Sequence, residues 1–322
     1  MFVRIYFLAA MTLIALTGAA QAQGFPERPV TIIVGFSPGG ATDIVARILA
    51  KKLGELWNQS VVVENRLGAS GTIAANIVAK SAPDGYTLLV SSPTSTAAAP
   101  GIFPHLPYNV IKDFVVVSEI ATTPFILVVP PESPLKTFGD FVRYAKANPA
   151  EMRYGSAGLG SQGHLAVELL NQSLNVEMIN VPFKGEAAAM SEVMAGRLSF
   201  MFLTLGLAQP LIADGKLHGL AISSLERSKF AMEYPTLAEL GIAGFETESW
   251  NSLFAPSSLP KAILARLNSD VVKVLQMPDT LELFKKQGFR VVGNSSEQAT
   301  AYLQSETKKW GAVIKAANIR PR

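Results

Sequence analysis

The sequence predicts an α/β fold in two lobes that face each other across a cleft. Three observations predict it. Apolar, β-branched runs alternate with helical apolar periodicity along most of the chain. Two of the strand patterns run directly into glycine-rich turns that open helices. After about Ser228 the texture changes into a C-terminal return. Taken in order, "VTIIVGF" reads as a buried strand, and Ile44, Val45, Ile48, Leu49, Leu53 and Leu56 trace one helical face after it. "SVVVEN" is a second strand, "GTIAANIVAKS" a helix, and Pro83-Asp84-Gly85 a turn before the strand "YTLLVSS". This β-α-β-α-β order implies a parallel sheet with right-handed crossovers.

"TPFILVVP" is a further strand bounded by prolines, and "TFGDFVRYAKAN" a helix with Thr137 as N-cap and Asp140 three residues on. "MRYGSAG" is a strand ending in a glycine turn, followed by the helix "HLAVELLNQSL". "VEMINVPF", "AAAMSEVMAG", "LSFMFLT" and "GLAISS" continue the alternation. In the return, "YPTLAELG" reads as a short helix, "SWNSLFAP" as a strand, and a long helix starts with Pro260 in its first turn. "TLELFKKQG" is a helix ended by glycine and "FRVVG" a strand. The last helix, about Ser296 to Ala317, opens with Ser295 and Gln298 in capping-box spacing.

The amino end has its own pattern. Arg4 is followed by an apolar core and by Ala20-Gln21-Ala22, the three parts of a secretory signal. The uninterrupted apolar run is shorter than the roughly 18–20 residues of a membrane span. The mature chain is therefore expected to start near Gln23, soluble and outside the cytoplasm. Removing 22 of 322 residues leaves 300, enough for two domains with cores of their own. Loss of Arg4 lowers the formal net charge from +3 to +2, and no Lys/Arg run occurs. That balance gives no support to nucleic acid or a membrane surface as partner. There are no cysteines, hence no disulfides, thiolate chemistry or lipid-anchoring thiol.

The glycine turns carry the functional signal. In "GFSPGGATDIVAR" the amides of Gly39, Gly40 and Ala41 fall where a helix begins. The first N–H groups of a helix lack intrahelical partners, and the helix dipole adds about half a positive charge there. Glycines let a ligand approach the backbone closely. Such a turn binds an anion without a basic side chain, and Thr42 adds a hydroxyl. The alternative is a plain connecting turn, with Asp43 favouring the dipole and pairing with Arg47. "YGSAGLGSQGHLAVELL" repeats the arrangement, with Gly155, Ser156, Gly158, Gly160, Ser161 and Gly163 before the helix that His164 opens. Two such turns, one per half, suit two ends of one anion.

Enzymatic patterns fit poorly. Gly158-x-Gly160-x-x-Gly163 matches a dinucleotide fingerprint, but the following strand ends in Phe183 and Lys184 where an acidic residue should hold a ribose. GxSxG, GxxxxGK[ST] and HExxH are absent. The three histidines, His105, His164 and His218, are scattered singly. A serine hydrolase built on Ser156 or Ser161 with His164 lacks an identifiable orienting acid.

At these residues the chain becomes comparable to a known group. A leader, "FPERPVTIIVGFSPGGATDIVARILA", "VVVENRLGASGTIAA", "PDGYTLLV", "LPYNVIKDF", "YGSAGLGSQGHLAVELL", "VPFKGEAA", "YPTLAELG" and "KKWGAVIKAANI" occur in order. Together they resemble the Bug family, the TctC-type periplasmic substrate-binding proteins of tripartite tricarboxylate transporters, over nearly the whole mature chain. The resemblance implies a periplasmic-binding-protein-like type II fold with two hinge crossings, near Ala121–Phe125 and Ser223–Ser228. Lobe 1 would comprise residues 23–122 plus 228–322, and lobe 2 residues 123–227.

The resemblance also implies a monomer that uses no cofactor and captures a small carboxylate for a large and a small integral membrane subunit. A sensor co-receptor for the same ligands, or an exported enzyme, stays open at this point. The first binding loop would be Phe36, Ser37, Pro38, Gly39, Gly40, Ala41, Thr42 and Asp43. The second would be Ser156, Ala157, Gly158, Gly160, Ser161 and His164. Ser92 and Thr94 lie in the segment Ser91–Ala99, where the family also lines its cleft. Leu203, followed by Thr204, stands where the family often carries an aspartate, Glu186 where a small residue is common, and Leu159 where a polar one is. With Phe183, the leucines would make the cleft more apolar, unless they are ordinary core. The expectation is a carboxylate without a free ammonium group, with an apolar or aromatic body.

Overall fold

The computed structural model describes residues 24–183 and 185–320, so the expected leader and its cleavage site lie outside the described residues. The first half is a βαβαβ unit. Strand β1 (Val30–Val34) leads into helix α1 (Ala41–Trp57), β2 (Val61–Asn65), α2 (Thr72–Ala79), β3 (Thr87–Ser91) and the short α3 (Ala99–Ile102). β1 lies between β2 and β3, parallel to both. β1 and β3 are apolar because both faces are covered, whereas the edge strand β2 is only partly buried. One core layer joins Val30, Ile32 and Val34 to Val45, Leu49 and Leu53 of α1. The other joins Ile33 and Leu89 to Ala74, Ala75 and Val78 of α2.

Strand β4 (Phe114–Val129) connects the halves. Its first part pairs antiparallel with β9 (Glu248–Pro256), up to Pro124 opposite Glu248. From Phe125 onward it pairs with β7 (Met201–Thr204), and from Ile126 with β8 (His218–Ile222). The sequence suggested that the proline bounds a strand, yet Pro124 lies inside a continuous one. It lacks an N–H, and it sits where the partner changes, so no ladder donor is needed there.

The second half adds α4 (Phe138–Ala147), β5 (Arg153–Ser156), α5 (Gln162–Leu174), β6 (Ile179–Pro182), α6 (Glu186–Met194) and α7 (Leu205–Ala213). β5 and β6 pair in parallel, and a bridge from Tyr154 to Phe200 joins them to the β7 strand. Thr137 and Asp140 form a reciprocal capping box at α4. Its core holds Phe125, Phe141, Tyr154, Phe200 and Phe202. Leu237 and Phe245 belong to this same core, and Leu237 N donates to Ile222 O at 3.0 Å. We therefore place the return crossing at Thr247–Glu248, beyond the expected Ser223–Ser228, because the intervening chain buries its apolar residues in the second half. Ser223 braces the crossing: its Oγ accepts from Phe125 N at 2.9 Å and donates to Thr247 O at 2.5 Å. The expected helix at "YPTLAELG" is only a turn, closed by Leu240 N donating to Thr236 O at 3.1 Å.

The chain then completes the first lobe with β9, α8 (Lys261–Leu275), α9 (Pro278–Lys286), β10 (Arg290–Val291) and α10 (Ser296–Ala316). The larger sheet has the order β10–β4–β9–β3–β1–β2. Ser295 and Gln298 form the expected capping box on α10.

Candidate ligand-binding site

Loops at the carboxyl ends of β1, β2 and β3 face loops at the carboxyl ends of β5 and β7. Between them lies a cavity of about 730 Å³. Its size and its place at the strand ends suit a small molecule.

Phe36, Ser37, Gly40, Ala41 and Thr42 of the first loop line the cavity, whereas Gly39 and Asp43 do not. Asp43 is buried behind the loop and holds it together. Its Oδ2 accepts from Gly39 N at 2.9 Å and from Arg47 Nε at 2.8 Å, and its Oδ1 accepts from Asn65 Nδ2 at 2.8 Å. The same Asn65 amide donates to Phe36 O at 2.9 Å, tying the loop to the end of β2. Burial pushes the Asp43 carboxyl up, but the bonds from Arg47, Gly39 and Asn65 outweigh it and hold the pKa below its ordinary value.

This changes which amides face a ligand. Gly39 N is bound to Asp43, and Gly40 N donates to Ser37 O at 3.2 Å. Among the described residues, the N–H groups of Ala41 and Thr42 have no acceptor. The left-handed position is Gly39, at φ +79°, while Gly40 has φ −77°.

The second loop divides similarly. Ser156, Ala157, Leu159 and Ser161 line the cavity, but Gly158, Gly160 and His164 do not. Ser161 caps α5, its Oγ accepting from His164 N at 3.4 Å. His164 Nδ1 accepts from Gly160 N at 2.9 Å, which places the ring proton on Nε2, 3.7 Å from Glu168 Oε1. Burial lowers the His164 pKa to about 4, so the ring is neutral at physiological pH. His164 thus shapes the turn from behind instead of meeting a ligand. The N–H groups of Gln162 and Gly163, both at the cavity, have no acceptor among the described residues.

Ser92 and Thr94 line the cavity as expected from their segment, and Ser249 of β9 joins them. Sequence reasoning missed the loop after β2. Leu67, Gly68, Ala69, Ser70 and Gly71 all line the cavity. Four consecutive residues, Gly68 to Gly71, have positive φ, including Ala69 at 45° and Ser70 at 55°. Such strain costs about 1–3 kcal/mol per non-glycine residue and is typical of functional loops. The loop packs on the first one: a Cβ at Gly35 would lie 2.6 Å from Gly71 Cα. The phrase "NRLGASG" held the available signal.

Two expected apolar contributors turn away. Leu203 is fully buried among Ile126, Val193 and Leu205, on the strand face opposite Phe202 and Thr204. Phe183 packs on that same core and donates its N–H to Ser156 O at 2.9 Å. Leu159, the third, does line the cavity, and the rest of its apolar surface comes from Phe36, Leu67, Phe125, Met201 and Phe202. Thr204 does reach the cavity, together with Glu186. Thr204 N donates to Glu186 Oε1 at 2.9 Å and Thr204 Oγ1 to Oε2 at 3.2 Å. Burial raises the Glu186 pKa, partly offset by these two bonds. Among the described residues at the cavity, Glu186 is the one ionisable side chain.

Two lobes joined by crossing strands, with a cavity between opposing helix N-termini, define a solute-binding protein of the two-lobed periplasmic type. The comparisons agree. Residues 45–319 match the profile of the tripartite tricarboxylate transporter family receptor, TctC. The chain belongs to this TctC/Bug family. It is 37% identical over 311 residues to the UPF0065 protein of the tcbD–tcbE intergenic region of Pseudomonas sp. (strain P51), covering 95% of this chain and 92% of that one. It is 35% identical over 301 residues to protein BugT of Bordetella pertussis, covering 93% and 92%. An R. palustris protein solved with adipate superposes with a TM-score of 0.85 at 35% identity, covering 92% of this chain and 100% of that one. MatC from Rhodopseudomonas palustris, with bound malate, gives 0.81 at 33% identity, covering 90% and 100%.

Proposed function

We propose that the protein captures a small organic carboxylate between its lobes and delivers it to a large and a small integral membrane subunit of a tripartite transporter. It does so in the periplasm, after its leader is cleaved near Ala22, and as a monomer. The carrying observation is the pair of helix N-termini at one cavity, α1 offering the N–H groups of Ala41 and Thr42, α5 those of Gln162 and Gly163. Amides only donate, so the pair selects an acceptor, and the two dipoles favour a negative one. Hydroxyls of Ser37, Thr42, Ser92, Ser156 and Ser161 surround it. The solved relatives with adipate and malate support the same ligand chemistry. Nothing in this arrangement requires a reaction, and the ligand is released unchanged.

Calorimetric titration with matched carboxylates and their primary amides tests the reading. Carboxylates binding at least tenfold more tightly than the amides is the expected outcome. Equal binding of the neutral amides would remove the case for an anion site.

A further inference from the structure

A carboxyl group at the wall of an anion-binding cavity needs an explanation. Glu186 is the first residue of α6, half-buried, and both its oxygens are held by Thr204. Burial raises its pKa while the two donors and the helix N-terminus oppose that shift, and both Thr204 bonds hold its oxygens as acceptors. An ionised carboxylate is acceptor-only, with about four lone-pair sites, of which Thr204 fills two. No Lys, Arg or His among the described residues reaches the cavity to neutralise it. A ligand with a carboxylate at each end would bring a third negative charge against two helix dipoles.

We infer that Glu186 is a specificity-determining residue, which accepts a hydrogen bond from a hydroxyl, amide or ammonium donor on the ligand and disfavours a second carboxylate. The inference rests on the carboxylate-capture reading and narrows it to acids that carry a donor. It departs from the expectation of a ligand without an ammonium group, because Glu186 lines the cavity and offers the acceptor that Leu203 cannot. A purely structural role, tying α6 to β7 through Thr204, would leave the ranking of ligands untouched.

The test is a calorimetric and thermal-shift panel at pH 8 on the full mature chain and on Glu186→Gln. The probes are matched sets: butyrate, 4-hydroxybutyrate, 4-aminobutyrate and succinate; hexanoate, 6-hydroxyhexanoate, 6-aminohexanoate and adipate; benzoate, 4-hydroxybenzoate and terephthalate. In the wild type, a donor-bearing member should bind best within its set, ahead of the matching dicarboxylate by about tenfold to a hundredfold. Glu186→Gln should shrink that preference by about tenfold or more, chiefly by tighter dicarboxylate binding. Glu186→Ala provides a second variant should the glutamine variant fail to fold. A dicarboxylate ranked first by the wild type, or a ranking unchanged by both substitutions, overturns the assignment of Glu186 alone. No binding by any acid overturns the carboxylate reading and this inference with it.

Discussion

Replacing Asp43 with alanine removes the group that organises the first loop without touching the cavity wall. The carboxylate holds Gly39 N, Asn65 Nδ2 and Arg47 Nε. Hydrogen bonds to a charged group contribute about 1.5–3 kcal/mol each when buried. Gly39 is exposed, so its N–H regains water, and Asn65 keeps its bond to Phe36 O. Each of these two losses is therefore discounted to about 1 kcal/mol. The favourable acidic group in the first turn of α1 adds about 0.5 kcal/mol. Arg47 is half exposed and adds little. Asp43→Ala should thus cost about 2–3 kcal/mol in urea unfolding, and calorimetry should show at least tenfold weaker carboxylate binding as the turn loosens. Arg47→Ala should cost under about 0.5 kcal/mol. The folded pKa of Asp43 is depressed, so its contribution is present above pH 3.8 and is lost as pH falls through the folded value. An Asp43→Ala protein with wild-type stability and affinity, or an Arg47→Ala cost as large, would refute this account.

Other perturbations separate the remaining parts. Burial pushes the Glu119 carboxyl of β4 up from 4.5 to about 7, so the folded state holds its proton and loses stability as pH rises between those values. Glu119→Gln should gain stability over the wild type by up to about 3 kcal/mol between pH 4.5 and 7, and a pH-independent difference in urea midpoints would contradict this. Gly35→Ala places a Cβ against the Gly71 backbone, which cannot yield cheaply; a loss of more than about 2 kcal/mol and weakened binding are expected, measured by thermal and calorimetric titration. Gly40→Val should fold, since φ is already −77° there, yet lose ligand because its side chain enters the cavity; retained affinity in calorimetry counts against the position of Gly40.

Much of this arrangement was legible in the residues. The alternating patterns gave the parallel βαβαβ unit, and glycine turns at strand ends marked two cavity loops because few other sequences permit such turns. Our placing of the second lobe's boundary rests on packing alone: Leu237 and Phe245 look like any apolar residues in the sequence, and only tertiary contacts assign them to that core. The loop after β2 escaped notice because Ala69 and Ser70, not glycines, take left-handed conformations. For Leu203 the sequence leaves cleft and core both open; the structure takes the core alternative, as strand alternation opposite Thr204 allows. Asp43 and His164 were assigned to the ligand because they stand beside the right turns. A sequence does not say whether a polar side chain points into a cavity or braces it from behind.

The central claim is tested most directly by mass spectrometry of the small molecule released on denaturing protein purified from its native host under gentle conditions. The account predicts a stoichiometric organic acid, detected as an anion and restoring thermal stability when added back to the stripped protein. A neutral or purely cationic molecule that restores stability in its place would contradict it.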